Sequence, residues 1–217
     1  MKNLLIKELK LASSPLSYIF LIAALMTLLP GYPILMGAFF ICFGIFHSFQ
    51  NARESNDVLY SLLLPVKKSD FVKTKFAFTC AVQLTGFALC AMLTALRMTV
   101  LSGAQAYKDN ALMNPSPVFL AFVLLLFSAF NLLFVGGFFK TAYKIGIPFL
   151  LFGIAALLIV TVAESLHFFG ALSFLNTTSG EKIGLQTVFL ALCAAAYCGI
   201  TYLSYRTSKK RFELLDL

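Results

Sequence analysis

The sequence predicts an all-α membrane protein of six transmembrane helices, preceded by an N-terminal interfacial elbow helix and carrying a short cytoplasmic helix between spans 2 and 3. Three observations carry this reading. Of 217 residues, 60% are hydrophobic and only 12% charged, far from the soluble average. The apolar residues fall in long charge-free runs, and the cations sit between those runs with a strong bias to one side. No repeat, low-complexity segment or internal boundary divides the chain, so residues 1–217 read as a single transmembrane domain.

Residues 2–12 fit a short helix with Asn3, Lys7 and Lys10 on one face and Leu5, Leu9 and Ala12 on the other. That is the pattern of a helix lying in the membrane interface, although Glu8 near the boundary of the faces weakens it. A charged start before an apolar run also resembles a secretory signal, but no small-x-small cleavage site follows, which favours an uncleaved elbow. From Leu11 to Ala52 there is no Lys, Arg, Asp or Glu. As one helix this stretch would reach roughly 63 Å, about twice the ~30 Å hydrocarbon thickness, so it must turn back. Pro30, Gly31, Tyr32 and Pro33 supply the turn, giving span 1 at about residues 14–30 and span 2 at about residues 33–50. The remaining spans are expected at about 72–96, with Phe76 to Leu96 its charge-free part, and at 117–139, 145–163 and 183–205.

Six spans put both termini, residues 51–75 and the loop at 140–144 on one side, which then carries fourteen Lys and Arg against three, Arg97, Lys108 and Lys182, on the other. The positive-inside rule makes the rich side cytoplasmic. Topology and anionic inner-leaflet lipid thus explain the net charge of +8 without a nucleic-acid partner. The five cysteines all lie in apolar runs without C-x-x-C spacing, which suits small packing residues better than metal or redox use. Glu164 and His167 at i and i+3 lack a third ligand, and Asn176-Thr177-Thr178 is a chance-prone sequon. Within 166–175 lies an apolar stretch too short to cross the membrane, which could dip into the outer leaflet or lie on it.

Gln83, Ser128 and Asn131 fall within spans 3 and 4, where polar side chains more often join helices than contact substrate. Gly136-Gly137 and Gly146 with Pro148 suit close packing or a local helix break. No ionisable residue is expected deep in a span, which argues against ion-coupled transport. The sequence contains no G-x-x-x-x-G-K-[ST], so any ATP that drives the protein must be bound by another subunit. No set of catalytic residues converges in the spans, and the chain is not expected to be an enzyme.

The polar interruption between spans 2 and 3, residues 51–71, is the natural place for such a subunit to dock. Ser55 is expected to cap a short helix that Pro65 ends, with Val58, Leu59, Leu62 and Leu63 on one face and Asp57, Tyr60, Ser61 and Leu64 on the other. Ser69 is expected to cap the next helix, with Asp70 in its first turn, and that helix runs directly into span 3.

The stretch E-S-N-D-V-L-Y-S-L-L-L-P-V-K-K-S-D-F-V-K-T-K-F, with the basic elbow, the first hairpin and four further spans, resembles the small ABC-2-type permeases of bacterial ATP-binding-cassette exporters. In that family a segment of the form S-L-P-V-(K/R)-(K/R)-x-(D/E)-(I/F)-V-x-x-K follows span 2; it stands here as Ser61 to Lys75 with two extra leucines before Pro65. Within the family the chain looks most similar to permeases of the phenol-soluble-modulin exporter type. The resemblance implies a dimer, homo- or heteromeric, in a bacterial cell membrane, each chain contacting an ABC ATPase that binds ATP and Mg. It implies that the short helix is a coupling helix, with Glu54, Asp57, Val58, Tyr60, Ser61 and Leu64 as partner-binding residues and the elbow, with Lys7 and Lys10, at the same contact. The substrate it implies is an amphipathic or hydrophobic one, a peptide above all. The alternative is a stand-alone six-span channel or peptide-immunity factor, which would work when reconstituted alone.

Overall fold

Long charge-free runs become long helices. In the computed structural model, which describes residues 2–63, 66–101, 103–108, 110, 112–141, 144–166, 169, 175 and 182–214, every regular element among the described residues is helical. The chain opens with α1 (Lys2–Lys7), which widens into a π-turn over Glu8–Ala12 and ends where Ser13 turns extended. Helix α2 (Leu16–Ile19) follows Pro15 and continues as a 3-10 helix over Phe20–Leu28. Then come α3 (Met36–Glu54), α4 (Asp57–Leu63), α5 (Lys68–Thr99) and the one-turn α6 (Gln105–Lys108). Helix α7 (Pro117–Ala129) passes through a π-segment at Phe130–Val135 into α8 (Gly136–Thr141), and α9 (Gly146–Ser165) and α10 (Ile183–Glu213) complete the bundle.

Four of these helices are long and apolar enough to cross a membrane: Lys68–Thr99, Pro117–Lys140, Gly146–Ser165 and Ile183–Glu213. The third to sixth expected spans are therefore present, with the last extended eight residues beyond 205 into a basic stretch. The first two expected spans are present as a helical hairpin, but neither arm is among those four: the first is shortened to Leu16–Leu28, and the second, Met36–Glu54, is 19 residues long and runs into polar residues at its end. The hairpin turns where the prolines place it, and Gly31 has φ +69°, a left-handed conformation that glycine takes without a Cβ clash. Its first arm is overwound. At about 2.0 Å per residue in the 3-10 part, thirteen residues reach about 24 Å, where an α-helix would reach about 20 Å.

Small residues let the two arms touch backbone to backbone. A Cβ added at Gly37 would stand 2.6 Å from the Ala23 carbonyl oxygen, and one at Gly44 would stand 2.8 Å from the Phe20 Cβ. Ser17 Oγ donates to the Gly44 carbonyl (2.6 Å) and meets Ser48 Oγ (2.6 Å), which also accepts from the Ser14 amide (2.8 Å). Ser48 thereby satisfies the Ser14 amide, which lies ahead of α2 and has no partner in a helix.

The α7–α8 rod is the most buried span, and α9 and α10 are the most exposed. Ser116 caps α7 by accepting from the Phe119 amide, ahead of Pro117 in the first turn. At the end of the bundle away from α4, Arg97 donates to the Thr27 carbonyl (2.7 Å) and lies 4.2 Å from the centre of the Tyr107 ring, while Tyr107 donates to the Leu28 carbonyl. The Gly31 amide donates to Asn110 Oδ1, so Arg97, Tyr107 and Asn110 together clamp the hairpin tip. Glu164 accepts from the Met113 amide. His167, the sequon at Asn176 and most of the 166–175 stretch lie outside the described residues. Among the described residues no three metal-ligating side chains converge.

Candidate functional site

The polar loop between α3 and α5 is built from a helix end that doubles as a helix start. Ser55 does not cap α4 as expected; it closes α3, donating its Oγ to the Asn51 carbonyl (2.8 Å). Asn56 takes the break instead, with φ +53°, a left-handed conformation that asparagine tolerates better than most side chains. Its carbonyl accepts from the Tyr60 amide to start α4. Ser69 is likewise no cap, because α5 begins one residue earlier at Lys68 with Lys67 extended ahead of it. Asp70 does lie in the first turn of α5, where the helix dipole favours a carboxylate. Pro65 and Leu64 lie outside the described residues.

The faces of α4 differ from the periodicity reading. Asp57, Val58 and Ser61 are buried, whereas Leu59, Tyr60 and Leu63 are 42%, 66% and 82% exposed. Sequence alone does not settle whether the polar side chains Asp57 and Ser61 face the bundle or the outside. Here they point in because a cation is waiting for them. Lys7 Nζ donates to Asp57 Oδ1 and to Ser61 Oγ (2.5 Å), and Ser61 Oγ lies 3.4 Å from the same carboxylate oxygen. Glu54 stays exposed at the end of α3, accepting from Gln50 Nε2 (3.0 Å).

Lys75 completes the arrangement. It is fully buried near the start of α5, donates to Glu8 Oε1, and stands 3.6 Å from Asp57 Oδ2. Its ammonium also lies 5.6 Å from the ring centres of both Phe49 and Phe71. Two cations and two carboxylates thus form a neutral set joining the elbow (Lys7, Glu8), the short helix (Asp57) and the base of span 3 (Lys75). A buried charge is tolerated only when paired, and each of these charges has an ion-pair partner, although Asp57 Oδ2 makes no hydrogen bond. The elbow is therefore not a free amphipathic helix: Lys7 and Glu8 turn into the protein, while Leu9, expected on the buried face, is exposed, as is Lys10.

Aromatic rings seal the set from water. Phe71 stacks on Phe212 (5.7 Å), which meets Phe139 edge-on (5.4 Å), while Phe49 packs edge-on against Phe134 and Phe138. Phe212 belongs to the far C-terminal turn of α10, so the last helix also reaches the site. Glu8 and Lys75 went unassigned in the sequence reading. The available signal was an ionisable residue directly abutting the apolar run that begins at Phe76.

Gln83 and Asn131 come together deeper in the bundle. Each amide donates to the other (3.0 Å both ways), Tyr197 OH donates to Gln83 Oε1 (2.9 Å), and Asn131 Nδ2 donates to Thr201 Oγ1 (2.9 Å). The Asn131 carbonyl, which accepts the π-turn bond from the Gly136 amide, also accepts from Ser204 Oγ (2.7 Å). The network ties α5, the π-segment and α10 together. Ser128 stands apart, donating to the Leu124 carbonyl of its own helix. Gln83→Leu is expected to lower the unfolding free energy of the detergent-solubilised protein by about 1–2 kcal/mol, since it strands donors on Asn131 and Tyr197. Adding Asn131→Leu is expected to cost less than the sum of the single changes, measured by denaturant unfolding.

A family model for the ABC-2 family transporter proteins matches residues 3–213, nearly the whole chain. Neither the curated proteins nor the solved structures give a match.

Proposed function

The chain belongs to the ABC-2 family of transporter proteins, and on that premise we propose that it is a six-span exporter permease whose α4 is the coupling helix for an ABC ATPase. Membership of the family makes it the membrane component of an ABC transporter, with a partner ATPase subunit as the general rule. The observation that carries the finer reading is the buried set Lys7, Glu8, Asp57 and Lys75, which fixes α4 to the elbow and to span 3. Its other face offers Leu59, Tyr60 and Leu63 to water, an apolar patch where a solvated helix would carry polar groups.

In this reading the ATPase docks on Leu59, Tyr60 and Leu63, with Glu54 at the rim. Its closure on ATP and Mg displaces α4, and the displacement passes through Asp57 to Lys75 and so to α5. Buried ion pairs suit this role because they are short and directional, whereas apolar contacts alone would let the helices slide. Two such chains, identical or homologous, line the translocation path. The chain lies in a bacterial cell membrane with both termini cytoplasmic, which the fourteen-to-three cation split supports. The cargo is an amphipathic or hydrophobic molecule, a peptide first of all, as a resemblance of the chain to permeases of the phenol-soluble-modulin exporter type would imply. ATP hydrolysis belongs to the partner and not to this chain.

Proteoliposomes holding the permease with its ATPase test this. A fluorescent amphipathic peptide is expected to cross only when both subunits and ATP are present. Passage through the permease alone, indifferent to ATP, would instead make it a stand-alone channel.

A further inference from the structure

On the membrane face of the bundle, α5 and α10 part to leave an open groove of about 410 Å³, within the ~300–1,000 Å³ range of small-molecule sites. Its walls are apolar over about three turns, with Ala77, Cys80 and Leu84 on α5 and Cys198 and Tyr202 on α10. The chemistry changes at one end only. Lys73 lines the mouth on α5, and Arg206 continues the Cys198–Tyr202 stripe of α10 one turn further in the same direction. Both cations are exposed, and both lie at the end of the bundle that carries α4. An apolar trench with cations at its aqueous end complements an anionic amphiphile with its headgroup at the interface.

We propose that this groove binds one acyl chain of an anionic phospholipid from the leaflet nearest α4, with the phosphate held by Lys73 and Arg206. Lysine and arginine tips reach the headgroup level while their stems cover the apolar walls. Tyr202 and Tyr205, amphipathic rings at the same level, flank the phosphate. The site is separate from the Lys75 set and does not depend on the transport reading.

The test is native mass spectrometry of the full-length protein extracted from vesicles of equal phosphatidylglycerol and phosphatidylcholine. The wild type is expected to retain phosphatidylglycerol about thirtyfold over phosphatidylcholine, the ratio that two interfacial cations at about 1 kcal/mol each would set. Lys73→Glu with Arg206→Glu is expected to abolish that preference. Ala77→Trp, which fills the trench and leaves the cations in place, is expected to reduce retained lipid of both kinds while gel filtration shows an intact protein. Equal retention of the two lipids by the wild type would overturn the proposal, as would an unchanged preference in the double variant. So would loss of the preference in Lys182→Glu, a cation at the opposite end of α10, or Cys198–Cys198 cross-linking between copies, which would put a second chain on this face.

Discussion

Lys75→Met is expected to abolish ATP-driven transport while the protein still inserts in the membrane. The change keeps most of the apolar stem and removes the charge, leaving Glu8 and Asp57 buried against a single cation, Lys7, which is already engaged by Asp57. Breaking a buried pair in this way typically costs about 3–5 kcal/mol, because the stranded carboxylate cannot recover its hydration. The cost falls on the docking of the elbow and α4 rather than on the spans, which pack through separate contacts. Glu8→Gln in the Lys75→Met background removes the stranded charge and is expected to recover most of the stability. Transport is expected to stay low, since the link from α4 to α5 is still missing. Unfolding in detergent and transport in proteoliposomes, measured on the wild type, the single and the double variant, separate the two effects.

Leu59→Glu with Leu63→Glu is expected to release the ATPase without disturbing the permease. Both side chains are largely exposed and take no part in the buried core, so surface substitutions there should leave stability within about 0.5 kcal/mol. At a docked interface the same carboxylates would be buried without partners. Charges of that kind in an interface core cost several kcal/mol, enough to lower association by two or more orders of magnitude. Tyr60→Ala is expected to weaken association less, as the loss of one aromatic anchor. Co-purification with the ATPase and its stimulated hydrolysis rate are the readouts.

Spans 3 to 6 were legible because a charge-free run of nineteen or more residues has few alternatives to a membrane helix. The hairpin was legible as a turn-back but not in its winding. A 3-10 stretch over Phe20–Leu28 depends on how Gly37 and Gly44 let α3 approach, which no local pattern reveals. The loop helix was legible, but which of its faces meets the bundle was not. Periodicity puts Asp57 and Ser61 on one face without saying which way it points, and only the meeting of residues far apart in sequence, Lys7 with Asp57 and Glu8 with Lys75, turns them inward. Lys75 was counted as one more cytoplasmic cation, because a sequence does not distinguish a lysine solvated at the interface from one sealed under Phe49 and Phe71. Gln83 and Asn131 were legible as helix-joining residues, since an amide in an apolar span must find a partner.

The most direct test of the coupling role of α4 is photo-crosslinking from single positions along it, in membranes that contain the assembled transporter. With the photoreactive side chain at Tyr60 or Leu63, the ATPase is expected to be captured, and at Val58 or Ser61 it is not. Capture from Val58 or Ser61 with none from Tyr60 and Leu63, or no capture anywhere along the helix, would contradict the assignment of α4 as the coupling helix in this orientation.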